Sequence, residues 1–424
     1  MKIMFYKETN FKKTSVGRIP EDWEVVRLGD DEIAEIRRNK IVGNIVEIAF
    51  IPMELIPDQE IFAKYEIRDL KDVSSSTYCE AGDLLLAKIT PSFENGKQGI
   101  VPKDIPNGFA LATTEVYPIV CKDIDRLFLF YLLKFPKFRK VLEFSMRGTT
   151  GRQRVPKEAV EKLKIPLPTS QEQQKIAEVL LTVDEAIRKT DEVIAKTERL
   201  KKGLMQELLT RGIGHKEFKD TEIGRIPKEW KVVKLSDKAE VVSGFGFPLD
   251  YQGKRSGKYP FIKVNDLNLT QKYAITADNF IDDEDLKALK AEVFPPNTII
   301  FPKIGMAIYL NKFRILKTWG TFDNNIAGVI PKEINPEFLF YYFLGKTDLK
   351  QLSGRTTAPS IRKTTLESIL IPYPSLPEQQ KIAEILSTVD KKLELERNEK
   401  TRLERIKQGL MDLLLTGKIR VKVN

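Results

Sequence analysis

Apolar residues recur every three or four positions along two long stretches of the chain, and in short runs between turn residues elsewhere. The first stretch aligns Ile176, Leu180, Val183, Ile187 and Ile194, then Leu200, Leu204 and Leu208 on one helical face. The second aligns Ile382, Leu386, Val389 and Leu393, then Leu403, Ile406, Leu410 and Leu414. Each opens after paired prolines, Pro166/Pro168 or Pro372/Pro374, where Thr169 with Glu172, and Ser375 with Glu378, have the spacing of a capping box. Each ends near a glycine, Gly212 or Gly417. Some ~38 helical residues make a rod of roughly 57 Å. That far exceeds the usual ~11-residue helix, so a paired coil is expected.

Between these stretches the pattern is mixed. In the first half, Val25–Leu28, Ile45–Ile51, Leu84–Ile89 and Glu115–Val120 have the composition of strands. In the second half Val232–Leu235, Phe261–Val264, Thr298–Phe301, Ile308–Leu310 and Ile326–Ile330 do. Each half then carries one amphipathic helix, expected over Arg126–Phe144 and Glu337–Leu352. Its aromatics (Phe128, Phe130 and Tyr131; Phe338, Phe340 and Tyr341) fall at core spacing.

The halves are copies. TSVGRIPEDWEVVRLGD (14–30) recurs as TEIGRIPKEWKVVKLSD (221–237), and IPLPTSQEQQKIAEVL from Ile165 recurs as IPYPSLPEQQKIAEIL from Ile371. The expected fold is α+β: two similar mixed α/β globular domains separated by two long helices in an antiparallel coiled coil, an internal repeat with a pseudo-two-fold axis. The expected boundaries are 1–168 for the first domain with its N-terminal arm and 169–213 for the first long helix. The second domain takes 214–374, and 375–424 holds the second helix and tail. Connectivity alone makes packed helices antiparallel, because the second domain follows the end of one helix and precedes the start of the other.

Charge refines this picture. The formal net charge is +10 and the sequence pI about 9.2. The helices are nearly neutral, as ion-paired coils should be. Residues 214–374 carry 24 basic against 19 acidic side chains, and 1–168 carry 27 against 25. A polyanionic partner is thus favoured modestly. No uncharged apolar run reaches membrane length, the N-terminus has no signal-peptide core, and Cys79 and Cys121 lack metal-ligand spacing. A cytoplasmic protein without membrane contact is expected.

Catalytic candidates are few. His215, the only histidine, lies in the linker after the first long helix, so no Ser-His-Asp or Cys-His arrangement is expected, and no GxxxxGK[ST] phosphate loop exists. Phe294-Pro295-Pro296-Asn297 departs at both ends from an amino-methyltransferase motif, and Ser243-Gly244-Phe245-Gly246-Phe247 is better explained as a turn. Pro57-Asp58 with Asp69-Leu70-Lys71 formally fits a metal-dependent nuclease pattern, which needs its carboxylates on adjacent strands. A chain with no metal, no cofactor and no catalytic residue of its own is expected.

Polar and basic loops remain as candidate nucleic-acid contacts. In the first half they are Lys88, Thr90, Ser92, Asn95, Lys97 and Gln98, then Arg147, Thr149, Thr150, Arg152, Gln153 and Arg154. In the second they are Lys254, Arg255, Lys263, Asn265, Lys303, Asn324 and Asn325, then Arg355, Thr356, Thr357, Ser360, Arg362 and Lys363. These side-chain types read base edges and hold phosphates.

The two GRIPxxWxVVxL openings and the two IPxPxxxEQQKIAExL helix starts, over essentially the whole length, give the chain its family likeness. It resembles the specificity subunit of type I restriction-modification systems. The resemblance implies two target-recognition domains, each reading one half of a bipartite, asymmetric site in double-stranded DNA. The helices would set the spacer and dock two modification (methyltransferase) subunits. It further implies S-adenosylmethionine on those subunits, with ATP and Mg²⁺ on restriction (translocase and nuclease) subunits. It transfers no base-reading residue, because the contacts lie in variable loops. A rival expectation is an adaptor that joins two protein partners and touches no DNA.

Overall fold

The computed structural model describes residues 4–43, 45–149, 151–268, 272–274, 277–354 and 359–422. Its helices, in chain order, are α1 (Arg126–Lys134), α2 (Pro136–Phe144), α3 (Lys157–Glu161), α4 (Ser170–Arg211), α5 (Asp283–Leu289), α6 (Pro336–Lys346), α7 (Leu349–Leu352), α8 (Lys363–Glu367) and α9 (Leu376–Leu414). The chain divides into two compact units, 1–191 with 399–424, and 192–398. Each long helix is therefore shared, one half going with each unit.

In the first unit Glu24–Arg27 pairs antiparallel with Lys164–Leu167, Val25 opposite Pro166. The IPxP segment is thus a strand on the opening repeat; proline, which lacks an N–H, is tolerated in such a two-stranded ribbon. A four-stranded sheet runs Gln98–Ile100, Leu84–Ala87, Val116–Cys121, Ala34–Ile36. A second runs Glu66–Asp69, Glu47–Ile51, Phe109–Ala112, Thr77–Glu80. The main core gathers Trp23, Leu84, Phe128, Tyr131 and Ile165 with Ile176 and Leu180 of α4 and Leu414 of α9. Phe5–Lys7 pairs with Ile419–Val421, so the two ends of the chain close one ribbon.

The second unit repeats the plan. Lys231–Lys234 pairs with Leu370–Tyr373. A five-stranded sheet runs Ala239–Ser243, Ile326–Pro331, Ile299–Pro302, Arg314–Leu316, Tyr273–Ala274, and a three-stranded sheet runs Phe280–Ile281, Tyr259–Ile262, Thr321–Phe322. The helix aromatics Phe338, Phe340 and Tyr341 are buried, as are Phe128, Phe130 and Tyr131 in the first unit.

Three expectations change. The single helix over 126–144 is two, because Pro136 drives Phe135 to an extended ψ of 125° and starts a new helix. The helix over 337–352 likewise breaks at Thr347, after which Asp348 caps α7 through the Lys350 amide. Ile308–Leu310 is no strand; it belongs to a 3₁₀ turn, Met306–Leu310, opened by Gly305 at φ +79°.

In the first unit, Asp184 of α4 meets Lys407 of α9 at 2.6 Å and Asp191 meets Lys400 at 2.7 Å, so these segments run antiparallel. In the second, Glu198 meets Arg397 and Lys201 meets Asp390, both at 2.6 Å, with the same sense. Most seam positions are buried or half-buried, but Leu200 is 55% exposed and Ile406 41%.

Candidate nucleic-acid interface

The repeated motifs form a clasp in each unit. Trp23 of the opening motif donates its indole N–H to Glu172 at 3.0 Å, and Trp230 does the same to Glu378. The capping-box expectation is thereby half corrected. Thr169 Oγ1 accepts from the Glu172 amide at 3.4 Å, but the Glu172 carboxylate turns to the tryptophan rather than back to the helix start. The next residue, Gln173, donates to Pro168 O and accepts from the Asp125 amide at the start of α1; Gln379 does so with Pro374 O and the Asn335 amide. About three turns further along each long helix, the pattern continues with a tyrosine and a lysine. Tyr131 donates to Asp184, which also holds Lys407; Tyr341 donates to Asp390, which also holds Lys201. Burial first, then the neighbouring carboxylate, raise both phenols well above the usual tyrosine range. Each clasp fixes a globular domain to a helix pair, and so fixes how its loops are presented.

The clasps differ in one partner. Arg420, 6% exposed, holds Glu172 with Asp22 and Glu8, at 2.6–2.9 Å. Burial alone would lower its pKa, but these hydrogen bonds raise it on balance. The second unit uses His215, 2.8 Å from Glu378 and 3.6 Å from Glu229. The lone histidine is a structural residue.

In the first unit two candidate loops converge. The bridge between Ile89 and Arg154, the Thr90 amide on Gln153 O and the Val155 amide on Lys88 O bring the Lys88–Gln98 loop against a hairpin. Arg147 and Arg154 pair at the hairpin base, and Gly148 (φ +128°) and Gly151 (φ +81°) turn it. Arg147, Thr149 and Arg152 are exposed and Gln153 half-buried; Arg154 is tied to Glu115 by two hydrogen bonds of 2.7 and 2.9 Å. Lys88 is half-buried over the Tyr117 ring at 4.8 Å, and burial lowers its pKa.

Ser92 and Asn95 face solvent at least in part, while Thr90 donates to Glu94 and Lys97 donates to Met53 O. Gln98 is a correction. Wholly buried, it donates to Phe130 O and accepts from Arg139, so it reaches no ligand. Arg139 also holds Phe93 O, and Lys134 holds Gly96 O and Asp58 O, so the loop rests on α1 and α2. Thr150 lies outside the described residues.

In the second unit the matching loops also converge. Ile304 bridges Ser360, the Gly305 amide donates to Pro359 O, and the Lys303 amide donates to Asn325 O. Lys303 Nζ donates to Ser243 at 2.8 Å, and burial lowers its pKa. Asn324, Ser360, Arg362 and Lys363 are exposed, Lys363 3.8 Å from Glu367, and Asn325 is half-buried. Lys263 donates to Gln252, beside exposed Asn265. Lys254 is held by Asp282 and Asp285, leaving Arg255 exposed next to it. Arg355, Thr356 and Thr357 lie outside the described residues. The Ser243–Phe247 segment is a packing device rather than the expected turn: Ser243 ends a strand and Phe245 bridges Asp323 in parallel. A Cβ on Gly244 would sit 2.1 Å from Asp323 O, and Phe247 stacks on Phe261 at 3.7 Å.

The type I restriction modification DNA specificity domain family matches residues 20–199 and 227–405. The MjaVIII type I restriction enzyme specificity subunit of Methanocaldococcus jannaschii is 32% identical, over 99% of this chain and 98% of its own. The chain belongs to the type I restriction-modification specificity subunits. Among solved structures, a type I system S subunit from M. genitalium shares the fold at TM-score 0.56 and 16% identity, covering 93% of this chain and 96% of that one. A chain from a structure of type I system assembly does so at 0.57 and 19%, covering 94% and 99%.

The motifs that identify this specificity-subunit chain are thus the clasp residues, which face inward. Sequence reasoning missed their roles, though the 207-residue recurrence of Trp23 as Trp230 and the 206-residue recurrence of Glu172 as Glu378 carried the signal. The nuclease-like string does not converge: Asp58 sits in an irregular exposed turn, and Asp69 ends a strand, paired with Lys71 at 2.7 Å. Among the described residues no group of three metal-ligating side chains comes together, and no helix is long and apolar enough to cross a membrane.

Proposed function

We propose that the two domains read the two halves of a bipartite, asymmetric target in double-stranded DNA, and that the helix pair sets the spacing between them. The carrying observation is that one clasp recurs around two domains whose converging loops differ in sequence. A repeated mount with unlike loops suits one task performed on two unlike half-sites. Basic residues bordering both loop sets supply phosphate attraction, and exposed Arg, Asn, Ser and Thr supply base-edge hydrogen bonds. Linking two modest readers through a stiff element makes the second contact intramolecular and penalises the wrong gap.

The exposed helix residues Leu200 and Ile406 stand 206 positions apart, at equivalent places in the repeat. Apolar exposure repeated in this way suits the same partner docking twice, and two modification subunits carrying S-adenosylmethionine fit that description. In this reading the chain performs recognition. Methylation belongs to those partners, and ATP- and Mg²⁺-dependent translocation and cleavage belong to restriction subunits. The test is to map methylated adenines in DNA from a host carrying this chain and its modification partner. A four-residue insertion in α4 and α9 should change the length of the spacer and leave both half-sequences intact. Altered half-sequences would make the ruler idea wrong, and a protein that assembles yet never marks DNA would favour the adaptor reading.

A further inference from the structure

The 3₁₀ turn Met306–Leu310 occupies the place that the Thr90–Asn95 segment takes in the first domain. Both follow a Lys-Ile pair at a strand end (Lys88-Ile89, Lys303-Ile304), and both isoleucines bridge to the loop before a short helix. Both are anchored by one wholly buried residue, Phe93 or Ile308. Their outward faces are opposite in character. The first domain presents Pro91, Ser92, Glu94 and Asn95, whereas the second presents Ile304, Met306, Tyr309 and Leu310, 42, 69, 40 and 58% exposed.

This apolar face is built rigidly. Gly305 opens the turn, and Asn311 closes it in the left-handed region at φ +47°. The Asn311 side chain is pinned at both ends, donating to Thr347 O and accepting from the Leu349 amide, each at 3.0 Å. The rim is basic: Lys350 lies over Tyr309 at 5.4 Å, Lys303 and Lys312 are half-buried and Lys317 exposed, and residues 303–319 contain no carboxylate. A preorganised apolar patch with a cationic border marks a binding surface for something apolar at its centre and anionic around it.

We infer that this turn reads thymine 5-methyl groups in the half-site of the second domain, while Lys303 and Lys350 face the flanking phosphates. The inference rests on the DNA-reading function proposed above. Thymine is the base that offers a methyl group in the major groove, and apolar side chains are its natural contacts. A docking site for a partner subunit fits less well, because a partner bound by both repeats should find the same residues in each, as it would at Leu200 and Ile406. The first domain has no such patch at this place, so the occupant is something the two half-sites do not share.

The test uses the complex assembled with its modification subunits, on duplexes carrying the target defined by the methylated adenines. Thymines are replaced by deoxyuridine in one half-site at a time, which removes the methyl and keeps every hydrogen-bonding group. Substitution in one half-site should weaken binding by five-fold or more. The double variant Met306→Asn/Leu310→Asn, checked for an unchanged melting temperature, should bind methylated and unmethylated bases equally at that half-site. Equal binding of both duplexes by the unaltered complex overturns the inference, as does a variant that keeps the discrimination. A variant that folds but no longer captures modification subunits overturns it in favour of a protein occupant. Failure of the unaltered complex to bind any duplex would instead overturn the functional reading beneath it.

Discussion

The two clasps are built to one plan but hold their central carboxylates differently, and the difference separates what the repeat must keep from what it can vary. In the first unit Glu172 is 2% exposed and faces Arg420, which also collects Asp22 and Glu8. In the second Glu378 faces His215 and takes its remaining hydrogen bonds from Trp230 and the Ile213 amide. The chain reaches the second clasp continuously from α4. In the first, the carboxylate's partner must come from the far end of the sequence, on the strand Ile419–Val421. A permanently charged, multidentate arginine suits the junction that has no covalent continuity.

The largest predicted effect breaks that contrast. Arg420→Ala leaves a buried, unpaired carboxylate and should cost about 3–5 kcal/mol. His215→Ala should cost less, about 1.5–3 kcal/mol, the scale of one hydrogen bond to a charged group. Denaturant titration followed by tryptophan fluorescence measures both, and equal losses would end the claimed asymmetry. Acid sharpens it. The Arg420 side chain lowers the Asp22 pKa below its ordinary 3.8, and the Asn10 amide, with Arg420, lowers Glu8 below 4.5. Because the folded values are lower, this stabilisation is complete above the ordinary values and disappears as pH falls through the lowered ones. Arg420→Ala should flatten that part of the stability profile.

A second contrast lies in the sheets. Gly99 pairs with Leu85, and at the matching register Arg314 pairs with Ile300. A Cβ on Gly99 would meet Pro57 Cδ at 2.8 Å and the Ala63 amide at 3.2 Å, so Gly99→Ala should cost about 1–3 kcal/mol through overpacking. Arg314 is buried, its Nε has no hydrogen-bond partner, and burial lowers its pKa. Arg314→Met should therefore be neutral or slightly stabilising, since an apolar residue of similar length replaces an uncompensated charge. Thermal melts of both variants decide whether one register position is a steric limit in one domain and an electrostatic burden in the other.

The Tyr–Asp–Lys groups provide the opposite check, because there the units agree. Asp184→Asn and Asp390→Asn should each cost about 1.5–3 kcal/mol, the worth of hydrogen bonds to a charged group. Unequal losses would mean that the helix pair is not equivalently built in the two units.

The long helices, most strands and the aromatic cores were legible because each follows from periodicity that local sequence carries. The breaks at Pro136 and Thr347 were less so. Amphipathic spacing continues across both, and at Thr347 no proline interrupts it. The turn at Met306–Leu310 read as a strand because Ile308, Tyr309 and Leu310 have strand composition; Gly305 and Asn311, which accept left-handed or unusual backbone, decide otherwise. At the interface, residue types located the loops but not their commitments. Gln98 and Arg154 look like readers in sequence, yet one is held by Arg139 and the other by Glu115, partners 41 and 39 residues away.

The smallest predicted effect tests the part of the interface that the domains share. Lys88 and Lys303 occupy the same strand end, each half-buried and each with a pKa lowered by burial, although nearly everything around them differs. What is common to two readers of unlike sequences should touch what is common to the sequences, the phosphate backbone. Lys88→Gln and Lys303→Gln should each reduce the slope of log affinity against log salt by about one, with both half-sequences unchanged. A changed half-sequence with an unchanged slope would make either lysine a base reader. A loss in only one domain would mean that the shared position carries different duties in the two.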